Sequence, residues 1–352
     1  MQTNQKMIAS MIATEQKVVL AQIIHVEGSA YRKEGAWMLF FADGTRKGVI
    51  SGGCLENDLA ARAEQLFGTG QTDVFDYDLR SEDDLGWGRG AGCNGVITVM
   101  LRDIDADFRD FLSATQKQLY RKEPVLWIQA TNESKDYACL TKEGKYYGAF
   151  AHELPTEIDF TALYQQFAGQ KMIDEKLYYF QMIWPDPVLY IIGAGEDARP
   201  LAQFATHVGY QVQLLDWRPT FCTEEHFPTV HALHLGDPVK TIDTIAFSQL
   251  DSVVLMTHDF ERDVQLLKEL RQTQLLYLGV LGSQKRTKRL LGGKIPDHIH
   301  SPIGLSIGAD GPEEIALSVI AELIAVRRRK VGWKSQVSTW LPGKAAGWGE
   351  IS

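Results

Sequence analysis

An apolar run, Val188-Leu189-Tyr190-Ile191-Ile192, passes without a break into Gly193-Ala194-Gly195-Glu196-Asp197-Ala198, and few folds accept that junction. A G-x-G-x-x-A turn between strand and helix needs its first glycine for tightness. The second lets backbone approach a ligand, and the small third residue lets the helix pack closely on the strand. N–H groups at the helix start then favour an anion such as a diphosphate. The next apolar run, Val212 to Leu215, closes with Asp216, about 20 residues beyond the turn, where a carboxylate would read ribose hydroxyls. Glu196 and Asp197 place two carboxylates where phosphates would sit. Two readings therefore stand side by side, a dinucleotide site and a Rossmann-type scaffold that holds none.

The rhythm around this turn extends it into a domain. Apolar runs recur at 188–192, 211–215, 230–235, 252–256, 275–281 and 303–307, separated by helical segments at 197–208, 260–271, 284–291 and 312–329. Such alternation predicts βαβ units around a parallel sheet buried on both faces, a Rossmann-like doubly wound domain over 187–330. Pro312-Glu313-Glu314 opens the final helix with proline and carboxylates at its positive end, and Arg327 to Lys330 closes it with cations. Residues 331–352 show no periodicity and read as an irregular tail. Polar residues fall at other strand ends, Thr257-His258-Asp259 and Ser283 to Arg286 among them, where ligands of open α/β sheets gather. His258 reads either as a ligand contact or as a hydrogen-bonded capping residue. Lys285 and Arg286 are placed to answer a phosphate.

Residues 1–184 have a different character, predicted to be an α+β domain. Trp184-Pro185-Asp186-Pro187 marks the boundary, since two prolines interrupt regular hydrogen bonding. An opening helix precedes strands at 18–26 and 36–42, the second joined through Asp43-Gly44 to 47–50 as a hairpin. A helix over 55–67, a strand over 73–79, a glycine-rich loop over 81–95 and a strand over 96–101 follow. A helix over 108–121 then leads into two or three strands before Trp184.

The chain of 352 residues carries a formal net charge of -9. That balance argues against nucleic-acid or anionic-membrane binding, which need a cationic surface. No run approaches the roughly 18 apolar residues of a membrane span. Without an export pattern the expected compartment is the cytoplasm, and Cys54, Cys93, Cys139 and Cys222 are expected as free thiols.

Two of those thiols share a setting: Ser51-Gly52-Gly53-Cys54-Leu55-Glu56 and Gly90-Ala91-Gly92-Cys93-Asn94-Gly95. Glycine lets backbone come close to a ligand, and a thiol at a helix start is enriched in thiolate, the form that binds metal and attacks sulfur. The other reading is a pair of small buried hydrophobes. Arg32, in the Gly28-to-Arg32 loop, suits bidentate phosphate or carboxylate contact.

Taken in order, GSAYRKEGAWMLFFADG, GVISGGCLENDL, GAGCNGVITVMLR, the Gly193 turn, VVLMTHDFERD, GVLGSQKRTKRL and IHSPIGLSIGADGPEEIALSVIAELIA resemble the XdhC/CoxI family of xanthine dehydrogenase accessory proteins. The resemblance implies a protein that binds molybdenum cofactor, protects it during sulfuration and delivers it to a xanthine-dehydrogenase-type enzyme of purine catabolism. It also implies a cysteine desulfurase as partner, and a homodimer is expected. By motif, Gly52, Gly53, Cys54, Glu56 and Cys93 would contact the cofactor, with Cys54 and Cys93 as metal ligands. Arg32, Gly193, Gly195, Asp216 and His258 complete the expected site. Glu196 stands where relatives often carry histidine, and Asn94 where many carry glycine. The alternative is an NAD(P)-dependent oxidoreductase using the Gly193-to-Ala198 turn, with His258 or Lys285 as proton carrier.

Overall fold

A computed structural model describes residues 3–80, 94–149, 168–173 and 175–328. Backbone contacts divide it into two compact units, one running through Pro185 and one beginning at Asp186. The expected tail, 331–352, lies outside the described residues.

The first unit is built on two antiparallel sheets. One has the order β3-β2-β1-β5-β4, from β1 (Val18–Gly28), β2 (Trp37–Phe41), β3 (Arg46–Gly48), β4 (Thr72–Asp78) and β5 (Gly95–Asp103). Alternation along β1 divides its burial between two cores. Val19, Ala21 and Ile23 pack beneath helix α2 (Glu56–Leu66), against its Leu59, Ala63 and Leu66. Val18 and Leu20 face the opposite way, toward α1 (Asn4–Ala13) and α3 (Ala106–Tyr120).

The second sheet has the order β8-β7-β6-β10-β9, from β6 (Val125–Ala130), β7 (Tyr137–Leu140), β8 (Tyr146–Ala149), β9 (Ala168–Ile173) and β10 (Lys176–Ile183). Trp37 of the first sheet stacks on Trp127 of the second, ring centroids 4.9 Å apart. Beside them Gln181 Oε1 accepts from Trp37 Nε1 (2.8 Å) and Tyr179 Oη (2.9 Å), while its Nε2 donates to the Gly35 carbonyl (3.0 Å). A buried amide placed this way satisfies two aromatic donors and fixes the base of the loop that carries Arg32.

The second unit is a six-stranded parallel sheet of order β13-β12-β11-β14-β15-β16. Its strands are β11 (Val188–Ile192), β12 (Gln211–Asp216), β13 (Ala232–Leu235), β14 (Ser252–Leu255), β15 (Tyr277–Val280) and β16 (Ile299–His300). Counted within the unit this is 3-2-1-4-5-6, the doubly wound Rossmann order, with its switch point between β11 and β14. Helices α4 (Ala198–His207) and α8 (Gly311–Arg327) cover one face through Leu201, Ala205, Val319 and Leu323. Helices α5 (Pro238–Ile242), α6 (Phe260–Leu270) and α7 (Gln284–Leu291) cover the other through Ile242, Leu266, Leu270 and Leu290.

The strand expected at 303–307 is not formed. The last strand is Ile299–His300, and the chain then leaves the sheet. Pro302 cannot donate to a ladder, and Gly304 sits at φ +89°, outside strand geometry. The bend is tied down instead by Glu322 of α8, whose Oε2 accepts from Gly304 N (2.8 Å) and from Tyr277 Oη (2.6 Å).

Candidate functional site

Three segments named by the sequence border the first unit's sheet and its core. Ala30 of the Gly28-to-Arg32 loop and Cys54 of the first cysteine loop both pack, partly buried, against the core that includes Leu55, Leu79 and Ile97. The end of the second cysteine loop, Asn94-Gly95, meets the first of these. Gly28 pairs with Gly95 at the ends of β1 and β5, and Ser29 N donates to the Asn94 carbonyl (3.3 Å). Gly95 has no room for a side chain, since a Cβ there would lie 2.3 Å from the Glu27 carbonyl oxygen. Cys93 itself lies outside the described residues. Arg32 is half-buried and forms no ion pair among the described residues.

The Cys54 loop is internally fastened. Ser51, buried, offers its N–H to Glu56 Oε1 (2.7 Å) and its hydroxyl to Glu56 Oε2. The same hydroxyl oxygen accepts from Gly53 N (3.1 Å) and Leu55 N (3.2 Å). Burial pushes the Glu56 carboxyl upward, but the Ser51 bonds outweigh it and hold the group ionised below its ordinary range. Around Gly52 and Gly53 the space is open among the described residues, with no atom of theirs beyond the chain neighbours within 4 Å of where either Cβ would stand, and Gly53 sits at φ +112°. Cys54 is therefore half-exposed on a glycine ledge beside the first turn of α2. The other two described thiols differ. Cys139 is buried, which pushes its pKa up to about 12, and burial also raises that of Cys222.

At the carboxyl edge of the Rossmann sheet the expected residues do come together, but largely in contacts with one another. Asp216 is fully buried at the end of β12. Its Oδ2 accepts from Ala194 N of the glycine turn (2.6 Å) and from an Arg218 guanidinium nitrogen (2.7 Å). Its Oδ1 accepts from Arg218 N (2.7 Å) and Nε (2.9 Å). Four donors saturate the carboxylate and leave no lone pair for a ribose.

His258 occupies the left-handed region at φ +57°, and its Nε2 lies 2.7 Å from Asp197 Oδ2 across the turn. Arg262 of α6 reaches over to Trp217, its guanidinium 4.0 Å from the ring centroid. Arg286 is spent on buried Asp263 (2.6 Å), which also accepts from Thr257 Oγ1 (2.6 Å). The sequence named neither Asp263 nor Trp217. The adjacency of Asp216, Trp217 and Arg218 was visible, but nothing in it revealed that the arginine turns back on the carboxylate.

Among the described residues no group of three or more His, Cys, Asp or Glu side chains is arranged to hold a metal ion. None of the helices searched among those residues is long and apolar enough to cross a membrane.

Fold and site together define a two-unit protein that joins a cysteine-loop α+β module to a Rossmann unit. The chain belongs to the XdhC/CoxI family. The model for the XdhC and CoxI family matches residues 11–78, and that for the XdhC Rossmann domain matches 189–323. A protein of Bacillus subtilis described as a probable subunit of xanthine dehydrogenase is 40% identical over 325 residues, covering 92% of this chain and 97% of that protein. The molybdenum cofactor insertion chaperone PaoD of Escherichia coli is 26% identical over 321 residues, covering 88% and 83%. A crystal structure described as a xanthine dehydrogenase from Bacillus halodurans aligns with a TM-score of 0.84 at 38% identity, over 97% of this chain and 100% of that one.

Proposed function

We propose that this protein is an accessory factor that binds molybdenum cofactor as cargo, supports its sulfuration and inserts it into a xanthine-dehydrogenase-type enzyme. The observation that carries the reading is the open glycine ledge presenting Cys54 beside a helix N-terminus. A thiolate is a soft ligand suited to molybdenum or its terminal sulfur, and backbone N–H groups on such a ledge suit the cargo's anionic oxygens. The N–H groups of Gly52 and Cys54 have no acceptor among the described residues, where Arg32 likewise has no carboxylate partner. Cys93 joins the site in this proposal, as the second thiol. The relative PaoD, a molybdenum cofactor insertion chaperone by name, supports the same role. A cysteine desulfurase and the recipient enzyme are the proposed partners, with the protein acting as a cytoplasmic homodimer in purine catabolism.

The test is cargo retention. Protein isolated from cells that make the cofactor should carry molybdenum and pterin, measured by metal analysis and pterin fluorescence. Cys54→Ala should lower retention by about tenfold, the loss expected of one soft ligand among several contacts. Cys139→Ala, at a buried thiol, should leave retention unchanged. Equal retention in the two variants removes Cys54 from the site.

The oxidoreductase alternative needs Asp216 to read a ribose, and that carboxylate is already saturated. Millimolar NAD or NADP should therefore leave the melting temperature unmoved, because only a ligand that binds the native state raises it. A concentration-dependent rise would reinstate that alternative.

A further inference from the structure

We infer that Glu56 is a positioning residue for Cys54, holding the thiol's loop through Ser51 without itself touching cargo. The inference rests on the reading of Cys54 given above, and it assigns Glu56 a different task from the cofactor contact that the family motif implies.

Hydrogen-bonding capacity within the loop is fully committed at Ser51. A serine hydroxyl has one donor and two acceptor sites, and Ser51 uses all three, on Glu56, Gly53 and Leu55. Glu56 uses one carboxylate oxygen on that hydroxyl and the other on Ser51 N. Of the five backbone N–H groups from Ser51 to Leu55, those of Ser51, Gly53 and Leu55 are thus tied inward. Those of Gly52 and Cys54 have no acceptor among the described residues, which gives the loop its two-sided character. One side is fastened to the first turn of α2, and the other presents a thiol and two donors.

The carboxylate's origin matters. Glu56 belongs to α2, so the clamp fixes the loop relative to a helix that is packed into the core through Leu59, Ala63 and Leu66. Asp58, the other first-turn carboxylate, is likewise engaged by protein groups, Tyr77 Oη and Arg62 Nε. Neither acidic group of that turn is then directed at an anionic cargo, which it would repel.

Glu56→Gln is the diagnostic change because it preserves shape. Its amide nitrogen cannot accept the Ser51 proton, and the serine's lone pairs are already taken, so one link of the clamp must break. The full-length protein would be alkylated with iodoacetamide under native conditions, and the rate at Cys54 followed by peptide-resolved mass spectrometry. Both Glu56→Gln and Ser51→Ala should accelerate alkylation of Cys54 by about fivefold, as a charge-assisted bond that restrains local opening is lost. Leu66→Ala, a core truncation at the far end of the same helix, should keep the wild-type rate.

A wild-type rate in Glu56→Gln, or equal acceleration in Leu66→Ala, overturns the clamp. Cargo retention separates this from the function it rests on. If Cys54 reacts faster in Glu56→Gln while Glu56→Gln and Cys54→Ala both retain cargo normally, the clamp stands and the role of Cys54 in cargo binding fails.

Discussion

Replacing Arg218 with alanine is expected to destabilise the Rossmann unit by about 3 kcal/mol, at the low end of what breaking a buried ion pair costs. The reason is what remains behind. Asp216 is fully buried, and its cationic partner among the described residues is Arg218, which contributes a nitrogen to each carboxylate oxygen. Without that side chain only Ala194 N and the backbone N–H at position 218, among the described residues, donate to the charge, and burial then dominates. Arg218 is itself about a third exposed, so water reaching the gap keeps the loss near the lower bound. For a unit of this size the melting temperature should fall by roughly 6–12 °C.

The pH dependence of that loss follows from the sign of the shift. Burial pushes the Asp216 carboxyl up, yet the Arg218 and Ala194 bonds outweigh it and leave the pKa lowered. The stabilisation is thus complete above about pH 4, where the unfolded carboxyl is ionised, and fades as pH falls through the lower folded value. Urea unfolding at pH 7 and near pH 3 should show the gap between wild type and Arg218→Ala closing in acid. A gap independent of pH would mean that Arg218 contributes through packing on Trp217 and Phe221, not through Asp216.

The parts of the fold legible in the sequence are those whose pattern arises from burial alone. Strands β11, β12 and β14 lie inside a parallel sheet covered on both faces, so they read as mainly apolar runs, with Gln213 an interruption in β12. The segment 303–307 imitates that signal, with Ile303, Leu305 and Ile307 alternating, but Leu305 and Ile307 are exposed. Pro302 and Gly304 decide the backbone there, and composition over a window cannot weigh two residues so heavily.

The second antiparallel sheet is underread for the opposite reason. The sequence predicts two or three strands where five form among the described residues. The edge strand Tyr146–Ala149 is almost wholly exposed, and Ala168–Ile173 is buried only at its end, so neither shows the alternation of a half-buried strand. The site is legible as residue types and not as pairings. Nothing local says that Glu56 folds back five positions onto Ser51, or that Arg218 folds back two onto Asp216, because both pairings depend on where the turns place the backbone.

Gly193→Ala should abolish stable folding of the Rossmann unit, and the reason is independent of any nucleotide. Gly193 has φ +114°, and a Cβ there would lie 2.4 Å from the Met256 carbonyl oxygen, 2.6 Å from its carbon and 2.9 Å from the Thr257 Cα. All three are backbone atoms immediately after β14, so no side chain can rotate away. The turn could make room only by separating β11 from β14, the pair at the switch point. Overpacking typically costs about 1–3 kcal/mol where side chains can adjust, and backbone strain adds roughly 1–3 kcal/mol more. With no adjustment available, a loss above about 4 kcal/mol is expected, a large share of a typical domain's stability.

Gly292→Ala isolates the two contributions. Gly292 caps α7 at φ +66° with no atom of the described residues beyond its chain neighbours within 4 Å of its Cβ position, so alanine there meets strain without collision. That change should cost only about 1 kcal/mol. Circular dichroism melts of both proteins check the comparison, with Gly193→Ala losing its cooperative transition for this unit and Gly292→Ala shifting by a few degrees. Similar shifts in the two would mean that the first glycine of the turn is retained for its backbone angle alone. The close approach of β14 would then lose its claim as the structural reason for the glycine.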